Sequence, residues 1–241
     1  MTYCLGIKID ESIIMLSDSR TSAGVDNIST YSKMWRYSVP GQRQFVLCSA
    51  GNLATTQAVI AVLERDIKTK APVNLLTVVD MHQASEYIGR VSVACQKQNT
   101  GGGPVFETTF LLAGEILGAS NGLYMIYSQG NFIASSEQVP YLQIGETKYG
   151  KPILDRVAQG KMTTDRAVLC GLVSMDATIR SNLTVGPPIE VTVLTAGSLQ
   201  PGRYLKLEED NEYMRNLRIT WNKLMEEAVG QLQPLVWPIE G

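Results

Sequence analysis

Two pairs of short apolar runs open this chain of 241 residues, and a tight polar turn joins the members of each pair. The runs Tyr3 to Ile9 and Ser12 to Ser17 flank an acidic turn, and the runs Lys33 to Val39 and Arg43 to Ala50 flank Pro40-Gly41. Apolar runs separated by such turns predict β-hairpins. Because hairpins join antiparallel strands, this part of the chain predicts antiparallel sheet and not consecutive parallel βαβ units.

Helical patterns then alternate with further strand patterns. Apolar residues three and four positions apart predict helices over Leu53 to Lys68 and Leu76 to Lys97. The later elements predicted are, in chain order, strands over Phe110 to Ile116, Gly122 to Ser128 and Tyr141 to Ile144, a helix over Thr163 to Ile179, a strand over Ile189 to Thr195 and a charged helix over Glu208 to Gln231.

This order of elements predicts stacked layers. We expect an α+β fold, a four-layer αββα sandwich of two antiparallel sheets flanked by helices, with an extra C-terminal helix. The length fits a single domain over residues 1–241, in which residues 207–241 form a C-terminal helical extension.

Composition excludes several classes of function. The formal net charge is −2 and there is no run of Lys or Arg, so we expect no nucleic-acid partner. We expect no signal peptide and no membrane partner, since no apolar stretch approaches the length of a membrane span. The single histidine, His82, excludes sites with several histidines. Scattered cysteines predict buried thiols in a reducing compartment, hence a soluble, cytoplasmic protein, and they are Cys4, Cys48, Cys95 and Cys170.

Thr2 is the strongest candidate for a nucleophile. Removal of Met1 would leave Thr2 with a side-chain hydroxyl and a free α-amine on the same residue. An α-amine has an ordinary pKa of roughly 7.7–8.0, so it can act as a general base near neutral pH. A nucleophile with its own base is one of the arrangements that activate a weak hydroxyl.

Three residues at predicted strand ends can serve this nucleophile. Asp18 follows the second strand, Lys33 opens the third, and Gly51 follows the fourth. The Lys33 ammonium would stabilise the alkoxide of Thr2, Asp18 would orient Lys33, and the Gly51 N–H would bind an oxyanion. Taken singly, each also fits a solvated turn, a surface charge or a helix cap.

These residues, with the segment Asp18 to Thr21, Gly24 and the segment Ser49 to Gly51, resemble proteasome β-type subunits, which are N-terminal-nucleophile hydrolases. In that family a mature N-terminal threonine is followed sixteen positions later by an aspartate, as here. The lysine comes one residue earlier than usual. The resemblance covers roughly residues 2–195. Within the family, the opening MTYCLGIKID, the later YGKPILDR and the C-terminal helix are most similar to the Anbu group of bacterial proteasome-related proteins.

The resemblance implies further residues of the catalytic site. It gives Asp176 and Ser181 supporting roles, and it places Glu146 where the family has a serine. A carboxylate near the N-terminal amine would raise the pKa of that amine. Alternatively, Glu146 would pair with Lys151 or Arg156 and have no catalytic part.

The resemblance also implies a pocket for the substrate residue that precedes the cut. Its members would have intermediate size and polarity, which predicts no sharp specificity. The residues so implied are Thr21, Ser22, Tyr31, Ser49 and Leu53. Core and edge packing is the alternative for Tyr31 and Leu53.

The function expected is that of a self-assembling threonine-type peptidase that hydrolyses peptide bonds through a threonyl ester, with no metal and no organic cofactor. The resemblance implies peptide or unfolded-protein substrates and homo-oligomers, either rings or open spirals. Any unfoldase partner is unknown from the sequence. Two alternatives are an N-terminal-nucleophile amidase that acts on small amides and a weakly active scaffold or chamber protein.

Overall fold

The computed structural model describes residues 1–22, 28–98 and 104–237, without the side chains of Ser22 and Ile28. Gly24, on which part of the family resemblance rests, lies outside the described residues. The chain divides into two compact units, Met1–Glu209 and Asp210–Gly241.

The first unit contains strands and helices in alternating groups. Its strands are β1 (Tyr3–Lys8), β2 (Ser12–Asp18), β3 (Arg20–Ser22), β4 (Ile28–Thr30), β5 (Met34–Val39), β6 (Arg43–Gly51), β7 (Thr108–Ile116), β8 (Gly122–Ile126), β9 (Phe132–Ala134), β10 (Tyr141–Gly145), β11 (Ile189–Thr195) and β12 (Arg203–Leu207). Its helices are α1 (Leu53–Lys68), α2 (Met81–Gln98), α3 (Lys151–Val157) and α4 (Thr164–Ser181), with a short 3₁₀ turn at Pro104–Phe106.

The strands form two five-stranded sheets in which neighbouring strands are antiparallel. The first sheet has the order β10-β1-β2-β11-β12, and the second has the order β5-β6-β7-β8-β9. Strands β3 and β4 form a separate two-stranded ribbon. Both predicted hairpins are confirmed, since β1 pairs with β2 and β5 pairs with β6.

Strand β6 shows why the two sheets lie in the middle of the fold. Side chains alternate between the two faces of a strand. Val46 and Cys48 belong to a core cluster shared with residues of the first sheet, whereas Phe45 and Leu47 pack in a second cluster with α1 and α2. Because both faces are covered, the sequence of β6 is a continuous apolar run and not an alternating one.

The first sheet is covered on its other side by α4. This helix packs against β1 and β2, and α3 packs against α4. At Gly171 a β-carbon would lie only 2.7 Å from Cδ1 of Leu16, so the glycine lets the helix approach the sheet closely. The resulting order of helices, sheet, sheet and helices confirms the predicted αββα sandwich.

Caps explain which helix boundaries could be predicted. Helix α1 has the predicted bounds because Asn52 caps it, with Oδ1 accepting a 2.9 Å hydrogen bond from the Thr55 N–H. Helix α2 begins at Met81 and not at the predicted Leu76. The reason is that Asp80 accepts from the Gln83 N–H at 2.7 Å, while Asn74 closes a separate turn before it.

The second unit contains helix α5 (Glu212–Gly230). Asn211 caps it by accepting a 3.2 Å hydrogen bond from the Met214 N–H, so the helix begins later than the predicted Glu208. Leu207, placed in the C-terminal extension by the sequence, ends β12 of the first unit. None of the described helices combines the length and the apolar character that a membrane span requires. All four cysteines are buried, as predicted.

Candidate active site

The buried pair Lys33 and Asp18 lies at one end of the first sheet. Asp18 is the last residue of β2 and Lys33 directly precedes β5, and their exposed fractions are 0% and 5%. The Lys33 Nζ donates to Asp18 Oδ1 at 2.7 Å and to the Arg20 carbonyl at 2.6 Å. Two acceptors therefore fix the direction of the ammonium.

Asp18 is held by backbone donors as well. The Tyr3 N–H donates to its Oδ1 at 3.0 Å, and the Gly186 N–H donates to its Oδ2 at 3.1 Å. Burial raises the pKa of Asp18, while the charge of Lys33 and the two N–H groups oppose that rise. Asp18 thus ties the starts of β1 and β5 to the loop that follows α4.

Thr2 lies on the wall of an open cavity of about 280 Å³. Lys33 and Gly51 share this wall, so the structure brings together the predicted nucleophile, cation and oxyanion donor. Asp18 supports them through Lys33. The full lining is Met1, Thr2, Thr21, Lys33, Ser49, Ala50, Gly51, Leu53, Thr56 and Gly145.

Gly51 occupies a backbone position that only glycine fits. Its φ is +121°, and a β-carbon there would lie 2.4 Å from the Glu107 carbonyl oxygen and 2.9 Å from the Cα of Thr108. The close approach is maintained by the next residue, since the Asn52 N–H donates to the same Glu107 oxygen at 2.9 Å. The cavity wall therefore depends on the missing side chain.

We expect Gly51→Ala to lower the free energy of unfolding by about 3–5 kcal/mol, because it adds backbone strain to a clash with backbone atoms. Gly41→Ala is the matched control. Gly41 also has a positive φ, +74°, but a β-carbon there meets nothing within 4 Å. The Gly41→Ala variant should lose only about 1 kcal/mol of unfolding free energy. Urea unfolding measures both, and equal losses would show that the close approach at Gly51 does not matter.

Glu146 lies beside Thr2. Strand β1 pairs Tyr3 with Gly145, and just beyond the two strands the Glu146 N–H donates to the Thr2 carbonyl at 2.7 Å. Its carboxylate is buried and accepts from the Lys148 N–H and from Asn182 Nδ2, each at 3.1 Å.

The alternative partners expected for Glu146 are engaged elsewhere. Lys151 pairs with Asp155 at 2.6 Å, and Arg156 donates to the Pro152 carbonyl at 2.6 Å. The carboxylate of Glu146 instead remains at the start of the chain. There, burial and the charge of Lys33 lower the pKa of the Met1 α-amine, while Asp18 and Glu146 oppose that fall.

Asp176 and Ser181 do not line this cavity. Asp176 is buried in α4, and Ser181 is the exposed last residue of that helix. Two other residues of this region do reach the site, since Asn182 contacts Glu146 and Gly186 contacts Asp18. Neither residue is among those that the sequence predicts for the site. Nothing in their spacing distinguishes them from an ordinary helix cap and loop glycine.

The implied substrate residues divide into three groups. Thr21, Ser49 and Leu53 line the cavity. Tyr31 is 44% exposed and is not part of the wall. Ser22 ends β3, and its side chain lies outside the described part of the structure. Over the residues described, no group of three or more His, Cys, Asp or Glu side chains could hold a metal ion.

A family model described as "Proteasome subunit" matches residues 2–194. The chain belongs to the proteasome subunit family. This membership confirms the resemblance on which the site residues were proposed, and it covers most of the unit that carries Thr2, Asp18, Lys33 and Gly51. A comparison with curated proteins gave no match.

Solved structures of the Anbu group are similar to this proteasome-family chain over nearly its whole length. Anbu from Yersinia bercovieri is 38% identical, with a TM-score of 0.93 over 98% of this chain and 100% of that chain. The Pseudomonas aeruginosa protein, described as "Helical Assembly of the Anbu Complex", is 36% identical, with a TM-score of 0.93 over 97% and 98%. Anbu from Hyphomicrobium sp. strain MC1 is 36% identical, with a TM-score of 0.89 over 97% and 99%.

Proposed function

We propose that the chain is a threonine-type peptidase that becomes active when the bond between Met1 and Thr2 is cleaved. The observation that carries this proposal is the cavity that Thr2 shares with Lys33, whose ammonium is fixed by the buried Asp18. Membership of the proteasome family supports it. A hydroxyl, a cation and a constrained glycine N–H on one wall are the groups that acyl transfer requires.

In this mechanism the Thr2 hydroxyl attacks the carbonyl carbon of a peptide bond. The freed α-amine takes the hydroxyl proton through a water molecule and delivers it to the leaving amine. Lys33 stabilises the alkoxide, and the Gly51 N–H binds the oxyanion that forms on the substrate carbonyl. Water then attacks the threonyl ester and releases the second product.

We also infer that the chain assembles with copies of itself. The Pseudomonas aeruginosa relative, 36% identical over nearly the whole chain, is described as a helical assembly. Head-to-tail contacts give an open helix when the rotation between subunits does not close into a ring. A helical homo-oligomer is therefore the arrangement proposed here, and light scattering on the purified protein would measure its mass.

The test of the peptidase is chemical labelling of Thr2. Intact mass of the purified protein should be lower than that of the full chain by one methionine residue. A peptide epoxyketone, which forms a ring with a hydroxyl and an α-amine on the same residue, should then add to the N-terminal peptide. The same protein should hydrolyse a fluorogenic peptide amide faster than a γ-glutamyl anilide.

Other results would select the alternatives. Preference for the γ-glutamyl anilide would identify an amidase of small molecules. Protein that lacks Met1 but neither reacts with the epoxyketone nor hydrolyses either substrate would be a scaffold. Retention of Met1 in material from the native host would refute the mechanism, because Thr2 would then have no free amine.

A further inference from the structure

The residue whose backbone N–H bonds to the Thr2 carbonyl has a buried carboxylate that the mechanism above does not use. Glu146 is 6% exposed, and its N–H holds the Thr2 carbonyl at 2.7 Å. Cleavage after Met1 would therefore create the new α-amine on the residue that is already tied to Glu146.

Asn182 fixes the position of the Glu146 carboxylate. Its Nδ2 donates to Glu146 Oε2 at 3.1 Å. Its Oδ1 accepts from both the N–H and the hydroxyl of Thr184, at 3.0 and 2.6 Å, so its amide group has one defined orientation. The Asn182 N–H donates to the Thr178 carbonyl at 2.9 Å, which anchors the residue to the end of α4.

The charges around the start of the chain are not equivalent. Lys33 lowers the pKa of the Met1 α-amine, whereas Asp18 and Glu146 raise it. Asp18 is neutralised by Lys33 at 2.7 Å. By contrast, the contacts described for the Glu146 carboxylate are with neutral donors, the Lys148 N–H and Asn182.

Two cationic side chains of the neighbouring helix α3 bind groups other than Glu146. Lys151 of α3 pairs with Asp155, and Arg156 donates to the Pro152 carbonyl. Because Asp18 is already paired with Lys33, Glu146 is the better placed of these two carboxylates to meet a new ammonium group on Thr2.

We propose that Glu146 is a positioning residue that holds the α-ammonium of Thr2 after cleavage and so sets the pH above which Thr2 can react. This inference rests on the proposed function, since it concerns the base of the same reaction. An anion beside an ammonium favours its protonated form. The amine loses its proton only at higher pH than it would without Glu146, and the acidic limb of the activity profile moves upward with it.

The direct test is a titration of the amine that needs no catalysis. Protein released from a cleavable fusion that ends immediately before Thr2 carries the Thr2 amine in every case. A short pulse of acetic anhydride acetylates only unprotonated amines, and mass spectrometry of the N-terminal peptide gives the rate at each pH. On the acidic side of the wild-type midpoint, Glu146→Gln should be acetylated at least about threefold faster. Glu86→Gln, the same charge change at an exposed position of α2, should leave the rate unchanged.

The variant Asn182→Ala tests the position of the Glu146 carboxylate separately from its charge. This variant keeps the Glu146 carboxylate but removes the hydrogen bond that holds it in position. We therefore expect the pH midpoint of acetylation to shift in the same direction as in Glu146→Gln, by a smaller amount. In the double variant the acetylation midpoint should shift no further than in Glu146→Gln alone, because both changes act through the Glu146 carboxylate. Where peptide hydrolysis is measurable, the acidic limb of the pH profile of kcat/KM should also move to lower pH, further in Glu146→Gln than in Asn182→Ala.

The two proposals fail in different ways. An acetylation midpoint that is the same in Glu146→Gln and wild type would overturn the role of Glu146, whatever the activity. A shifted midpoint in protein that hydrolyses nothing would uphold the role of Glu146 and overturn the peptidase. Loss of activity in Glu146→Gln with an unmoved pH profile would show a structural role only.

Discussion

Replacing Thr2 by alanine is expected to abolish peptide hydrolysis, with a loss of at least about 10³-fold in kcat/KM. Alanine keeps the small side chain and the backbone carbonyl that accepts from the Glu146 N–H, but it has no hydroxyl. The free energy of unfolding should therefore change by less than about 1 kcal/mol. Steady-state kinetics on a fluorogenic peptide and thermal unfolding measure the two quantities.

Thr2→Ser is the matched control for this change. It restores a hydroxyl on the same backbone and should keep hydrolysis and epoxyketone labelling well above the level of the alanine variant. Hydrolysis that persists in Thr2→Ala would mean that another residue is the nucleophile. Cleavage after Met1 must be verified by mass in each variant, so that a processing defect is not taken for a catalytic one.

Replacing Lys33 by methionine is expected to reduce both activity and stability. The variant lacks the ammonium of a residue that lines the same cavity as Thr2, so we expect a loss of about 10³-fold in kcat/KM. It also leaves Asp18, which is fully buried, without its cation. Removing one partner of a buried ion pair costs about 3–5 kcal/mol of unfolding free energy. Urea unfolding at pH 7 measures this loss.

The loss of stability in Lys33→Met should depend on pH. Burial already raises the pKa of Asp18, and Lys33 is the largest effect that opposes the rise. Without Lys33, the folded state binds a proton at Asp18 more readily than the unfolded chain does. The contribution of Asp18 is therefore favourable below the ordinary pKa of Asp, roughly 3.9, and is lost as the pH rises above it. The loss of unfolding free energy in Lys33→Met, relative to wild type, should be larger at pH 8 than at pH 5.

A double variant separates the two effects of Lys33. Lys33→Met with Asp18→Asn removes the buried charge together with its partner, so part of the stability should return and its pH dependence should disappear. Activity should not return, because the ammonium is still missing. If Lys33→Met were as stable as wild type at every pH, the Asp18–Lys33 pair would contribute nothing to the free energy of unfolding.

Elements with strong local signals could be predicted from the sequence. The β1–β2 and β5–β6 hairpins follow from their turns, and the bounds of α1 follow from its period and from the Asn52 cap. Weak local signals were missed. Strand β12 is largely exposed along its length, and α3 has only seven residues, so neither has a pattern that stands out from a loop.

The candidate site also contains residues that could be predicted from the sequence and residues that could not. Thr2, Asp18, Lys33 and Gly51 stand at strand ends, and antiparallel pairing brings such ends together, so sequence order and the family resemblance were enough to propose them. Asn182 and Gly186 belong to the loop between α4 and β11. Their contacts with Glu146 and Asp18 depend on how that loop packs after both sheets have formed.

The sequence by itself determined the layered architecture, the family and the four central residues of the candidate site, because periodicity, turns and motif spacing are local properties of the chain. Only the tertiary structure decided which groups surround the start of β1. It bonded the Glu146 N–H to the Thr2 carbonyl, left Asp176 and Ser181 off the cavity wall and put Asn182 beside the carboxylate of Glu146. Those contacts join residues far apart in the chain, and their distances depend on the packing of one sheet edge against one loop.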